Sequence, residues 1–297
     1  MALQQHPSIG NPASSAGRSF GQRRILPSIE IVAREAGKVE ALIQTLVDAK
    51  LNRQDITADV LEKSSKLKNI NSLSKQIVLN LLRSNDLFRG FKVNIKQHIV
   101  RPELLLLAGT LCETFDVMNT SPFYGYRALM VGCGALSSYS ETKVDSSDLI
   151  ERFYGDRPPV TPEVMQILGA KVTGIEPREN SKAEYEYSVS YRHVAIGFQQ
   201  LEAWLSSNPE SFDVLTCFNL FSRPDFLFHY STPEQITQFL RVLRRAIAPE
   251  GLLYSSPPLL PVSSENRSIN AQIFYAAGFQ TIYQGYYYIL EPVRNLP

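Results

Sequence analysis

"ALMVGCGALSSYS", residues 128–140, decides how the rest of the chain is read. Four apolar residues run into Gly132-Cys133-Gly134 and then into serines, as a buried strand does when it ends in a tight turn that opens a helix. Gly132 and Gly134 lack a Cβ, so the turn can take positive φ and let a ligand come close to the main chain. In an open α/β sheet, ligands bind beyond the carboxyl ends of the strands where strand order reverses, and the first strand's turn usually lies there.

Downstream, short apolar runs alternate with helical stretches, which predicts a mostly parallel sheet covered by helices. The runs are "ALMV" (128–131), "KVTGI" (171–175), "YRHVAI" (191–196), "DVLTCF" (213–218) and "GLLYSS" (251–256). Between the last two, "TPEQITQFLRVLRRAIAPEG" predicts a helix capped by Thr232, with Pro233 in its first turn and Gln235 completing a capping box. Ile236, Phe239, Leu240, Leu243 and Ile247 would form its sheet-facing stripe. The ending "GFQTIYQGYYYILEP" predicts an antiparallel hairpin around Gln284-Gly285.

Upstream, residues 28 to 118 read as a helical N-terminal domain. Val32, Ala36, Val39, Ile43 and Leu46 recur at one-face helical spacing. A second helix is expected at "SKQIVLNLLRS" and a third at "RPELLLLAGTLCETF", where Pro102 suits a first turn. Residues 1–27 contain no acid and are rich in Ser, Gly and Pro, which predicts a disordered tail; a transit peptide has a similar makeup. The α/β domain is expected over 119–297, with an insertion at 137–160.

The bulk properties set the class. With 44% hydrophobic residues and a formal net charge of +1, the chain can build an ordinary core and has no global pull toward nucleic acid or membrane. Cys112, Cys133 and Cys217 lie far apart without metal-type spacing, so neither a metal site nor a disulfide framework is expected, and the reading is cytoplasmic. The run "LLLLAGTL" falls short of the roughly 20 residues that cross a bilayer, so no membrane association is expected. Between Lys63 and Arg101, nine basic residues face one acid, Asp86. That stretch is either a solvated helical surface or a site for phosphates or an acidic partner.

A strand-ending acid, Glu176 in "VTGIEP", stands where ribose hydroxyls could donate to it. The ordered series "VGCG", "VTGIEP", "FDVLTCFNLF" and "LRRAIAPEGLL" resembles the class I S-adenosylmethionine-dependent methyltransferases over about residues 120–292. The resemblance implies a Rossmann-like class I methyltransferase sheet and S-adenosylmethionine as cofactor. It implies that Gly132, Cys133 and Gly134 lie against the methionine and ribose, that Glu176, followed by Pro177, holds the ribose, and that Phe198, Gln199 and Gln200 flank the adenine. Asn219 and Leu220 would face the reacting methyl group. The chain departs from the family pattern at Met130 and Leu136, where an acid and a glycine are usual, and in "IGFQQ", which lacks the usual adenine-binding acid.

Two narrower resemblances stand beside it. "DVLTCFNLFSR" is similar to a segment of DREV-type protein-histidine methyltransferases. "VGCGALSS" behind a helical domain is similar to nicotianamine synthases, which transfer the aminocarboxypropyl arm of the same cofactor. Three functions stay open: methyl transfer to an acceptor that is a small molecule or a protein, aminocarboxypropyl transfer, and binding without catalysis in a degenerate pocket. A dinucleotide enzyme fits least, because Ser137 stands where its fingerprint wants a third glycine or alanine.

Candidate catalytic residues are Asn219, directly after a buried strand, His229 as a base, and Tyr124 in "SPFYGYRAL". Tyr126 shares Tyr124's two readings, a cover over the site or ordinary packing, and His193 reads first as structural. "SSPPL" (255–259) reads as a loop. The 137–160 insertion, with five acids against three basic residues, is either a solvated loop or a lid.

Overall fold

The computed structural model describes residues 25–51, 102–112, 121–134, 159–177, 191–259 and 264–294. Residues 1–24 of the expected tail, the second expected helix with its basic stretch, and nearly all of the insertion lie outside these residues, whereas Leu26, expected in the tail, packs against the core.

Among the described residues, seven strands form one sheet: β1 Arg127–Val131, β2 Lys171–Ile175, β3 Arg192–Val194, β4 Phe212–Cys217, β5 Ile247–Ser255, β6 Phe279–Gln284 and β7 Tyr288–Pro292. The order is β3-β2-β1-β4-β5-β7-β6. Strands β1 to β5 pair in parallel, and β7 runs antiparallel to both β5 and β6. This is the mostly parallel, Rossmann-like sheet that the sequence reading expects, closed by its antiparallel C-terminal hairpin. Order reverses between β1 and β4, so the crevice lies above the carboxyl ends of those two strands.

Alternation along the strands sorts the core onto two faces. Ala128, Met130, Val172, Val214, Leu252, Tyr254 and Ile289 pack with helices α1 Ile29–Leu51, α2 Pro102–Leu111 and α3 Val160–Ile167. Leu129, Val131, Ile175, Leu215, Leu253 and Leu290 pack on the other face with α4 Leu201–Ser207, α5 Pro224–His229, α6 Pro233–Ala246 and α7 Ser264–Ala276.

In α1, Val32, Ala36, Val39 and Ile43 are buried as their spacing predicts. Helix α2 is buried along its whole length from Leu104 to Leu111, so its apolar run is a core helix. Its one polar interior side chain is satisfied: the Thr110 hydroxyl donates to the Leu106 carbonyl at 2.6 Å and lies 2.8 Å from the Tyr254 hydroxyl on β5. The Tyr126 phenol donates to the Leu111 carbonyl at 3.0 Å, which ties the helix end to the start of β1 and gives Tyr126 its packing role.

Helix α6 begins as read: the Gln235 amide donates to Thr232 Oγ1 at 3.3 Å, and the Thr232 amide donates back to Gln235 Oε1 at 3.1 Å. Its stripe ends one residue early, because Ile247 has extended backbone and opens β5. Helices α3, α4, α5 and α7 give positions to helical stretches that the sequence reading expected between the strands without placing them.

Candidate active site

The first strand delivers its turn to the crevice. Gly132 and Gly134 take φ of 73° and 85°, conformations that favour glycine. The Gly132 and Cys133 amides both donate to the Ile175 carbonyl, at 2.8 and 3.3 Å, and the Gly134 amide donates to Glu176 Oε2 at 3.3 Å. Those three N–H groups are committed within the protein. The turn therefore offers bare main-chain surface rather than the cluster of N–H donors that cradles a pyrophosphate, which argues against a dinucleotide site.

Glu176 is fully buried directly after β2. Arg223 closes over it: Nη1 donates to Oε2 at 3.0 Å and Nη2 to Oε1 at 3.4 Å, while the guanidinium carbon sits 5.4 Å from the Phe198 ring centroid. A Cβ added to Gly132 would lie 3.4 Å from Arg223 Nη1, so the guanidinium covers the turn as well as the acid.

On the other side of the turn a cavity of about 320 Å³ is lined by Gly132, Cys133, Gly134, Met130, Val131, Thr161, Pro162, Thr216, Phe218, Asn219 and Glu103. Asn219 has a left-handed backbone, φ 53°, which asparagine tolerates. Its amide donates to Glu103 Oε1 at 2.8 Å. Glu103 comes from the first turn of α2, so a helix far back in the sequence supplies the one carboxylate among the described residues that line the cavity. Tyr287 is buried beside it, and its phenol is pushed up by burial and then by the Glu103 carboxylate.

The residues singled out from sequence thus divide. Gly132, Cys133, Gly134 and Asn219 line the cavity. Glu176 lies under the turn. Phe198 is buried, with its ring edge-on to Phe226, whereas Gln199 and Pro177 are exposed and Leu220 is buried against the turn. His229 is exposed at the end of α5, packed on Phe228 and absent from the cavity wall. Tyr124 precedes β1, so it sits at the opposite end of the sheet from the turn, where its backbone packs on Gly169. Residues before a parallel strand and residues after it emerge on opposite edges, which separates Tyr124 from the crevice. His193, on β3, has its Nδ1 3.2 Å from the hydroxyl of Tyr191, the residue before the strand.

The sequence reading missed Glu103, Thr161, Thr216, Phe218 and Arg223. An isolated acid heading an otherwise apolar helix was the one signal for Glu103. Arg223 carried none beyond following strand four.

Burial, and then the neighbouring Glu176 carboxylate, push the Cys133 thiol up to about 12, and burial alone raises Cys217. Cys112 and Cys217 are buried, and Cys133 is half-buried at the cavity wall. A thiol with a raised pKa stays protonated at neutral pH and is a poor nucleophile. We expect Ellman's reagent to find less than one reactive thiol in the native chain at pH 8 and all three after denaturation. Rapid reaction of a single native thiol would show that the Cys133 turn opens to water.

No family model matches the chain, and no curated protein matches it. Among solved structures, it is similar to a TehB-like SAM-dependent methyltransferase from Corynebacterium glutamicum, with 13% identity, 57% of this chain and 81% of that chain covered, and a TM-score of 0.34. A putative SAM-dependent methyltransferase from Streptococcus mutans is 10% identical, with 68% of this chain covered and a TM-score of 0.37; the chain spans 49% of that protein's length. CalO1, a methyltransferase in calicheamicin biosynthesis in its SAH-bound form, is 14% identical, with 88% and 72% covered and a TM-score of 0.34. What this chain binds is read from its own residues.

Proposed function

We propose that the chain binds S-adenosylmethionine at the Gly132–Gly134 turn and transfers its methyl group to an acceptor seated in the adjoining cavity. The observation that carries this reading is the fully buried Glu176 carboxylate, fixed by the Gly134 amide at the end of the strand next to the glycine turn. A buried carboxylate needs donors. Arg223 supplies two of them here, and with Arg223 displaced a ribose diol would supply two in their place, where the first βα turn leaves main chain bare.

When bound, the cofactor supplies an electrophilic carbon on a positively charged sulfur. The chain's own part is then mainly alignment and exclusion of water. Gly132 and Gly134 bring main chain against the ligand, and Glu176 orients the ribose. Asn219 and Glu103 line the cavity, where Glu103 can hold a cationic acceptor or take a proton from an amine or hydroxyl. The same carboxylate suits the aminocarboxypropyl reading. The pairing of Arg223 with Glu176 favours another reading, a binding protein whose pocket has closed on itself.

Titration calorimetry with S-adenosylmethionine tests the proposal, and measurable one-to-one binding is expected. Heat with NAD and none with S-adenosylmethionine would overturn it. Turnover that leaves S-adenosylhomocysteine supports methyl transfer, whereas methylthioadenosine identifies the aminocarboxypropyl route.

A further inference from the structure

Arg223 bonds both oxygens of the carboxylate that the proposed nucleoside would use. It lies at the N-terminal boundary of α5, after a turn in which its own amide donates to the Leu220 carbonyl at 3.1 Å and Ser222 Oγ donates to the Asn219 carbonyl at 3.2 Å. That turn begins at Asn219 itself, the residue that lines the cavity. From it the guanidinium reaches over Gly132 and meets both oxygens of Glu176.

The two partners are not equally held. The Glu176 side chain has no exposure, whereas the Arg223 side chain keeps 13%. Arginine is also the longer side chain and the more weakly hydrated cation, so it can swing its head outward while its stem stays packed. The acid is the fixed seat and the arginine its removable cover. The cavity wall includes neither Arg223 nor Glu176, so the open space ends at the turn and the covered part begins there.

We propose that Arg223 is a displaceable occupant of the ribose seat, a residue that sets nucleoside affinity by competing with the sugar hydroxyls for Glu176. The inference rests on the cofactor reading above and adds to it that binding begins with exchange of one set of Glu176 donors for another. The exchange is balanced in hydrogen bonds: two guanidinium N–H donors leave the carboxylate and two hydroxyl donors replace them. Discrimination follows from that balance, because a nucleoside without both hydroxyls cannot repay the displacement. Since the Arg223 turn starts at Asn219, displacement also reaches the cavity wall where the acceptor would sit.

The test is a double-mutant cycle read by calorimetry with S-adenosylhomocysteine on the full chain, with circular dichroism and thermal melting to check folding. Arg223→Ala should bind about tenfold more tightly than the parent, a change of about 1.4 kcal/mol. Arg223→Met, which keeps a stem on Phe198, should show a similar gain. In a Glu176→Gln background, Arg223→Ala should change affinity less than about twofold, because the Arg223–Glu176 ion pair is already gone. Unchanged or weaker binding in both arginine variants would overturn the inference while leaving the cofactor reading intact. An equal gain in the Glu176→Gln background would also overturn it, by showing that Arg223 acts through bulk alone. Absence of heat in every form would bring down the cofactor reading and the inference together.

Discussion

In an Arg223→Ala background, Glu176→Ala is expected to weaken S-adenosylmethionine binding by tenfold or more. Each hydrogen bond to a charged group contributes about 1.5–3 kcal/mol, and about 1.4 kcal/mol is a decade in affinity. The background matters. In the parent chain the incoming sugar must first break the Arg223–Glu176 pair, so removing Glu176 there deletes both a favourable contact and the obstacle in front of it. The parent-background loss should therefore be smaller, and the difference between the two measures the pair. Stability should fall as well, since Gly134 loses its acceptor. Breaking a buried pair usually costs about 3–5 kcal/mol, but Arg223 can turn to water, and about 1–3 kcal/mol is expected in a urea melt. Unaltered affinity in the arginine-free background would mean that no sugar is held at this acid.

The second large effect is expected at Gly174, in the middle of β2. A Cβ placed there would lie 2.6 Å from Cys133 Sγ and 2.6 Å from Tyr191 Cε2, closer than real atoms approach. Gly174→Ala thus has to push the Cys133 turn and the Tyr191 ring away from the sheet. Overpacking of this kind costs about 1–3 kcal/mol, a fall in melting temperature of roughly 2–12 °C. Because the displaced atom belongs to the glycine turn, cofactor binding should weaken too, and Cys133→Ala in the same chain should restore part of both losses by removing one of the two clashing atoms. A variant that melts and binds like the parent would show that the turn is slack rather than seated on Gly174.

Both predictions concern contacts made across the fold, and that is where sequence reading ran out. Strand β2 was read to the residue, because Lys171–Ile175 is a short apolar run bounded by turn residues. Helix α6 was legible from its start, since a capping box and an apolar stripe are local patterns. Ile247 fits the stripe by spacing but belongs to β5, because burial against a sheet rewards an apolar residue in either conformation. Helix α7 escaped notice: its residues 264–276 mix polar and apolar side chains without a clear stripe. The cavity's acid was beyond reach for another reason. Glu103 and Asn219 meet from positions 116 residues apart, and nothing local to either says so. Arg223 was invisible in the same way, since the arrangement that gives Glu176 its partner exists only once the segment after β4 reaches across the β1 turn to the end of β2.

The all-round burial of α2 bears on how the chain is made. This helix leaves the ribosome before any of the strands that cover it, and Leu104 to Leu111 stay sticky until Tyr254 and Ile289 have been synthesised. At about 5–20 residues per second the wait is on the order of ten seconds or more. A nascent chain in that condition invites a holding chaperone, and yield in cells should depend on one more than the stability of the finished molecule would suggest.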